Sequence, residues 1–130
     1  MSIDINNLTI GQARQLAAMF GQQSREQLVF DNGMIGKYVI ARCRDAGVHA
    51  GVLRATNGRE CVLTEARRLW YWKIAGGRKG ALNGVATYGL SDDSKVGVAV
   101  SRIHLTENCE LIEVAPEAEA SIRGAKDHEG

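Results

Sequence analysis

The eight residues Ala66-Arg67-Arg68-Leu69-Trp70-Tyr71-Trp72-Lys73 hold both tryptophans of the chain, one of its three tyrosines and three of its cations. Only 5% of the chain is aromatic, so this stretch concentrates one chemistry. Aromatic rings stack on nucleobases, and guanidinium groups grip phosphates through two donors at once. A nucleotide is therefore the first ligand to consider, against the plainer reading that both tryptophans anchor a core. The wider set of candidate binding residues is His49, Arg67, Arg68, Tyr71, Asn83, Tyr88 and Arg123, with Trp70, Trp72, Lys73 and Arg78 beside them. Arginines offer forked donors, tyrosines a stacking face with a polar tip, and asparagine an amide that reads a base or ribose edge. The set suits a compact, doubly phosphorylated adenine ligand. It would equally make a salt-laced surface.

Other chemistries find less support. His49 sits among small residues in Gly47-Val48-His49-Ala50-Gly51, where its ring lines a pocket or is satisfied structurally. His104 alternates outward from Ile103 and Leu105, and His128 falls in a polar tail. No second histidine stands at metal-ligand spacing, so no metal site is expected. No GxSxG elbow or reactive-cysteine signature occurs. Asp92 and Asp93 are adjacent on a turn, while Glu117 and Glu119 are two apart on an expected helix, so neither pair shares a face as an acid–base dyad would. No catalytic residue and no cofactor are expected, and the chain reads as a binder rather than an enzyme.

The totals narrow the partners. At 130 residues the chain fits one domain with a core that needs no disulfides. A net charge of +1 argues against coating duplex DNA. Cys43, Cys61 and Cys109 are odd in number, far apart in sequence and without a CxxC pair, which reads as reduced, mostly buried thiols. No run of membrane-spanning length and no secretion signal are present, so a soluble protein of the cytoplasm is expected, with no membrane partner.

The elements that must position these residues fall into three stretches. Thr9 to Phe20 reads as a helix, capped by Thr9 and stopped by Gly21, within an N-terminal helical arm over residues 1–30. Residues 31–125 form a β-rich ligand-binding domain. Within it, strands are expected at Tyr38 to Cys43, Val48 to Ala55 and Glu60 to Glu65, with Asn57-Gly58 as a hairpin turn. That turn would set Leu53 opposite Val62 and Val52 opposite Leu63, leaving both faces partly apolar and in need of cover from the chain's own helices or another subunit. The aromatic segment forms the next strand, with Arg68, Trp70 and Trp72 on one face and Arg67, Leu69, Tyr71 and Lys73 on the other. The tryptophans are expected in the core, and Arg67 and Tyr71 at the solvent or a pocket. A glycine-rich loop runs over Ala75 to Gly80, as a flexible connection or a ligand lid. A short helix over Ala81 to Tyr88 points Leu82 and Val85 inward. A strand from Lys95 to Val100 sets Val96, Val98 and Val100 on one face, and Cys109 to Val114 is the last strand. Pro116 opens a short C-terminal helix to about Arg123, and residues 126–130 form a frayed polar tail. The fold class expected is α+β, an antiparallel β-sheet core with an N-terminal helical arm and a short C-terminal helix.

Four segments in this order carry a family resemblance: Gly47-Val48-His49-Ala50-Gly51-Val52-Leu53, Ala66-Arg67-Arg68-Leu69-Trp70-Tyr71-Trp72, Ile103-His104-Leu105-Thr106-Glu107 and Glu117-Ala118-Glu119-Ala120-Ser121-Ile122-Arg123. Over roughly Lys37 to Arg123 the chain resembles a family of small phage and prophage proteins that contains the first-described type of Thoeris anti-defence protein. The resemblance implies a sponge that binds cyclic ADP-ribose isomers made by bacterial TIR-domain enzymes and holds them uncleaved. It also implies cyclic oligonucleotides as a further ligand class, and a homo-oligomer, dimer or hexamer, with pockets at subunit interfaces. On that reading Arg67 or Arg68, together with Arg123, meets phosphates, and Tyr71 or Tyr88 stacks on adenine. The glycine-rich stretch from Ala75 to Gly84 departs from the family pattern and would reshape the pocket. Two rivals stand beside the sponge. One is a protein-binding inhibitor of a host defence or nucleic-acid enzyme, which would use the aromatic patch as an interface. The other is a nucleotide-processing enzyme, which would turn its ligand over.

Overall fold

The computed structural model describes residues 32–128, and the helical arm expected over residues 1–30 lies outside them. Within that span the chain builds six strands and two helices: β1 (Tyr38–Cys43), β2 (Val48–Asn57), β3 (Glu60–Tyr71), α1 (Ala81–Tyr88), β4 (Lys95–Val96), β5 (Val100–Leu105), β6 (Asn108–Glu113) and α2 (Pro116–Arg123). All strand pairs are antiparallel, in the order β4-β3-β2-β1-β6, and β5 pairs with β3 on the same side as β4. The α+β class with a short C-terminal helix is what the sequence implies. No helix among the described residues is long and apolar enough to cross a membrane.

The sheet is rolled. β5 and β6 lie on opposite sides of the β3-β2-β1 centre, so a flat sheet would hold them four strand spacings apart, roughly 19 Å. Only Thr106 and Glu107 join them, a link that reaches about 10 Å. The outer strands must curl towards each other. Hydrogen bonds fix the curl, with Arg44 N–H donating to Glu107 O at 2.9 Å and Asn108 N–H to Arg59 O at 2.8 Å. The bend is concentrated where β2 crosses β3. A register shift there leaves Gly51 opposite two residues of β3, and Glu65 takes a left-handed φ of 52°. A Cβ on Gly51 would stand 2.8 Å from Thr64 O, so only glycine lets the strands approach this closely.

Rolling gives each side of the sheet its own core. Inside the curl lie Val39, Ala41, Cys43, Leu53, Cys61, Leu63, Ala66 and Leu105. The outer face carries Tyr38, Ile40, Val48, Ala50, Val52, Leu69 and Val96, covered by Leu82 and Val85 of α1 and by Ala118 and Ile122 of α2. The apolar two-faced hairpin is thus covered within the chain, by its own helices and its own curvature. Pro116 opens α2 with Glu117 and Glu119 in the first turn. Ser121 pins the helix, its hydroxyl accepting from Leu90 N–H at 2.9 Å and donating to Ala118 O at 2.7 Å.

The structure changes three strand expectations. The hairpin turn is Gly58-Arg59, not Asn57-Gly58, because Asn57 pairs with Glu60. With a further register shift at Arg54, Leu53 stands opposite Leu63, not Val62, and Val52 stands opposite Thr64, not Leu63. Glu60 to Glu65 and the aromatic segment as far as Tyr71 form one bent strand, β3, instead of two, and Trp72 and Lys73 lie past its end. The strand expected from Lys95 to Val100 divides. β4 ends at Val96, the chain crosses at Gly97 to Ala99, and β5 begins at Val100.

Candidate functional site

Alternation along β3 places Arg67, Leu69 and Tyr71 on one face and Arg68 and Trp70 on the other, as expected. Trp72, past the end of the strand, packs partly buried against the helix-covered core instead. The burial of Arg67 and Trp70 is the reverse of expectation. Arg67 is 4% exposed and Leu69 is buried on the outer face, whereas Trp70, on the inner face, is 53% exposed. The reason lies in the cover. α1 and α2 pack over the outer face, and the curl closes the inner face only where β5 runs alongside the first half of β3. Beyond that point the inner face opens into a cleft of about 620 Å³.

The cleft is floored by Ala66 and Ile103, walled by Trp70, Val98 and Val100, and bounded by His49, Arg68, Asp127 and His128. Val98 is 63% and Val100 44% exposed, beside the half-exposed Trp70, so the cleft presents a cluster of apolar side chains to the surface. The Arg68 guanidinium lies over the Trp70 ring, 5.4 Å from its centroid. His49 pairs with Arg68 across β2 and β3 and is almost wholly enclosed. Its Nε2 lies 2.9 Å from Ala46 O. A carbonyl only accepts, so Nε2 carries the hydrogen and Nδ1 keeps a lone pair. Burial pushes the His49 pKa below its usual value; the Ala46 bond opposes that shift and the Arg68 charge adds to it. The ring is therefore neutral at pH 7.

One wall of the cleft is held from behind. Arg67 Nε donates to Gly97 O at 2.8 Å, Nη1 to Ile122 O and Ala125 O at 2.7 and 2.8 Å, and Nη2 to the Asp127 carboxylate at 2.7 Å. The carbonyls of Ile122 and Ala125 lie at and just beyond the end of α2, where a helix leaves acceptors unpaired and its dipole favours a cation. His128 N–H donates to Val96 O at 2.8 Å, and Asp127 bridges to Val96. Residues 125–128 are thus an anchored strap along the cleft, where the sequence suggested a frayed tail from Lys126.

The seven residues singled out from sequence separate. His49 and Arg68 line the cleft, and Arg67 braces its wall with all three guanidinium nitrogens engaged. Arg123 turns away, bonded through Nε to Glu119 at 2.7 Å and through Nη1 to Glu65, with its guanidinium 4.7 Å from the Tyr38 ring centroid. Tyr71 lies under the Lys95 ammonium at 6.0 Å, and Tyr88 under the Arg78 guanidinium at 4.4 Å. Asn83 is exposed on α1. None of these last four lines the cleft. The glycine-rich loop borders a separate hollow with Trp72, Lys73 and Asp93, where Lys73 and Asp93 pair at 3.4 Å. Sequence reading placed Trp70 in the core and did not assign Val98, Val100, Asp127 or His128 to a site. The valines could have been found from the apolar run Val96-Gly97-Val98-Ala99-Val100, whereas Asp127 carries no local signal.

Residues 36–122 match a family described as a domain of unknown function, DUF6948, and the chain belongs to that family. No curated protein matches it. The matched span takes in His49, Arg68, Trp70, Val98 and Val100 and ends before the strap.

Proposed function

We propose that this protein captures a small cyclic nucleotide of the cyclic ADP-ribose class in the Trp70–Arg68 cleft and holds it uncleaved, as a phage anti-defence sponge in the host cytoplasm. The observation that carries the reading is a half-exposed tryptophan, overlaid by an arginine, at the wall of a 620 Å³ cleft. That volume lies within the range of small-molecule sites. A base stacked on Trp70 gains about 1–3 kcal/mol. Arg68 supplies a planar fork for a phosphate or pyrophosphate, and neutral His49 adds no charge of its own beside it. The resemblance to the Thoeris anti-defence family selects the cyclic ADP-ribose isomers from among nucleotides, with cyclic oligonucleotides as a further class and a homo-oligomer as the working assembly.

A second reading, a protein-binding inhibitor of a host defence or nucleic-acid enzyme, draws on the same exposed Trp70, Val98 and Val100, since interfaces centre on such anchors. Isothermal titration with cyclic ADP-ribose isomers, followed by denaturing the complex and identifying what is released, separates the readings. Tight binding with intact ligand supports the sponge. Recovery of a cleaved product makes the protein an enzyme, and no heat with any isomer favours the protein interface. In the sponge, Trp70→Ala weakens binding about tenfold or more.

A further inference from the structure

We infer that Cys43 and Cys109 form a cross-strand dithiol, a site of reversible oxidation by small disulfides such as glutathione disulfide. In sequence the two are far apart, and only the β1–β6 register brings them together. Arg42 stands opposite Glu110, but the next residue, Cys43, stands opposite Asn108. Cys109 is therefore the extra residue of a bulge and lies beside Cys43. Alternation also gives them a common face. Cys43 and Leu111 belong to the core inside the curl, and Cys109 precedes Leu111 by two positions on β6. Residues directly opposite on one face hold their Cβ atoms about 4.5–5.5 Å apart. The bulge sets Cys109 one position from that place, and the pair must close to the roughly 3.5–4.5 Å of a disulfide. Among the described residues β6 pairs with β1 alone, so the strand can yield the remaining distance.

The two thiols suit the two halves of an exchange. Cys109 is exposed and Cys43 is buried. Burial first, and then the neighbouring Cys109, push the Cys43 thiol above its usual pKa, while Arg68 opposes the shift. Cys43 thus senses both its partner thiol and the arginine of the cleft. Cys61, the third cysteine, is 1% exposed and pushed up by burial to about 11, which takes it out of competition. The Cys109 thiolate attacks one sulfur of glutathione disulfide, forming a mixed disulfide and expelling one glutathione thiolate. The Cys43 thiolate then attacks the Cys109 sulfur, and the second glutathione leaves as a thiolate. Two protein thiols are oxidised, one glutathione disulfide is reduced to two glutathiones, and the two protons pass to solvent.

The test treats the native full chain with glutathione disulfide, blocks remaining thiols with an alkylating agent and maps the disulfides by proteolysis and mass spectrometry. The expected product is a monomeric chain lighter by two hydrogens, with Cys43 joined to Cys109 and Cys61 alkylated. Cys43→Ser is expected to stop at the mixed disulfide on Cys109, and Cys109→Ser to remain unmodified. In the unsubstituted protein, a stable Cys109–glutathione adduct, a Cys43–Cys61 bond or a Cys109–Cys109 dimer would overturn the assignment. None of these outcomes depends on whether the cleft takes a nucleotide.

Discussion

Arg67 and Arg68 are neighbours on β3 and enter opposite faces of one sheet. Arg67 goes to the covered face, where its guanidinium meets the carbonyls that end α2, the carbonyl of Gly97 and the carboxylate of Asp127. Arg68 goes to the rolled face beyond the end of β5, where it lies on Trp70, and no carboxylate pairs with it among the described residues. The same side chain is a structural bolt on one face and an unspent donor on the other. The difference comes from what lies across from each face, not from the residue. Two helices close one face. The other closes only as far as strand curvature carries it, and the cleft lies where the closure stops.

The comparison breaks most readily at Arg67. Replacing it with alanine removes charge-assisted bonds worth about 1.5–3 kcal/mol apiece and leaves helix-end carbonyls without their donor. Arg67→Ala is expected to lose about 3 kcal/mol or more of stability in urea denaturation, and to free Asp127 and His128 from the cleft wall. A loss below about 0.5 kcal/mol would show that water replaces the guanidinium and that the strap is not held from behind.

Gly51 tests the curl itself. A methyl group there meets Thr64 O at 2.8 Å and the Ala66 Cα at 3.0 Å, both backbone atoms that cannot turn aside. Overpacking of this kind costs about 1–3 kcal/mol, so Gly51→Ala is expected to lower the denaturation midpoint clearly while Gly58→Ala, at an open turn with a φ of 59°, loses less. A loss at Gly51 no larger than that at Gly58 would mean that β2 and β3 part to admit a methyl group, and that their close crossing does not require glycine.

How much of this was legible follows from the same two faces. Period-two alternation sorted Arg67 from Arg68 and Leu69 from Trp70 correctly, because side-chain direction along a strand is local. Pro116, with Glu117 and Glu119 in the first turn, marked the start of α2 for the same reason. Which face would be covered was not local. It depended on Leu82, Val85 and Ile122 arriving from other elements, so Trp70 looked like core and Arg67 like surface. The neighbourhood of Cys43 and Cys109 depended on a register between strands at the two ends of the described chain, which no spacing in the sequence states. The strap was least legible, since Asp127 sits among polar residues and owes its place to Arg67, sixty positions earlier.

Tyr38 sharpens the comparison from within the covered face. It is 4% exposed, and its hydroxyl has no hydrogen-bond partner among the described residues. An unsatisfied buried hydroxyl costs the fold, so Tyr38→Phe is expected to be neutral or to gain up to about 1 kcal/mol. Burial, opposed by Arg123 and Arg67, raises the phenol from 10.0 to about 12. Between those values the unfolded chain gives up a proton that the folded chain keeps, so stability falls as pH rises through that window. Tyr38→Phe is expected to flatten this alkaline fall. A loss of stability at neutral pH would reveal a partner for the hydroxyl, such as an internal water.

The smallest expected effect on stability is the one that bears most on function. Arg68→Ala removes an arginine with no ion pair among the described residues, from the open end of the sheet, and its contact with Trp70 is a partly solvated cation–π pair of about 0.5–1 kcal/mol. The variant is expected to unfold within about 0.5–1 kcal/mol of the parent, in sharp contrast to Arg67→Ala one residue away. Its His49 would titrate higher, because the Arg68 charge is one of the causes holding that pKa down, and NMR titration of the imidazole reads this directly. A stable protein with a shifted His49 and weakened nucleotide capture would place Arg68 at the ligand. A destabilised protein would mean that Arg68, like Arg67, is part of the frame, and the difference between the two faces would then be one of degree.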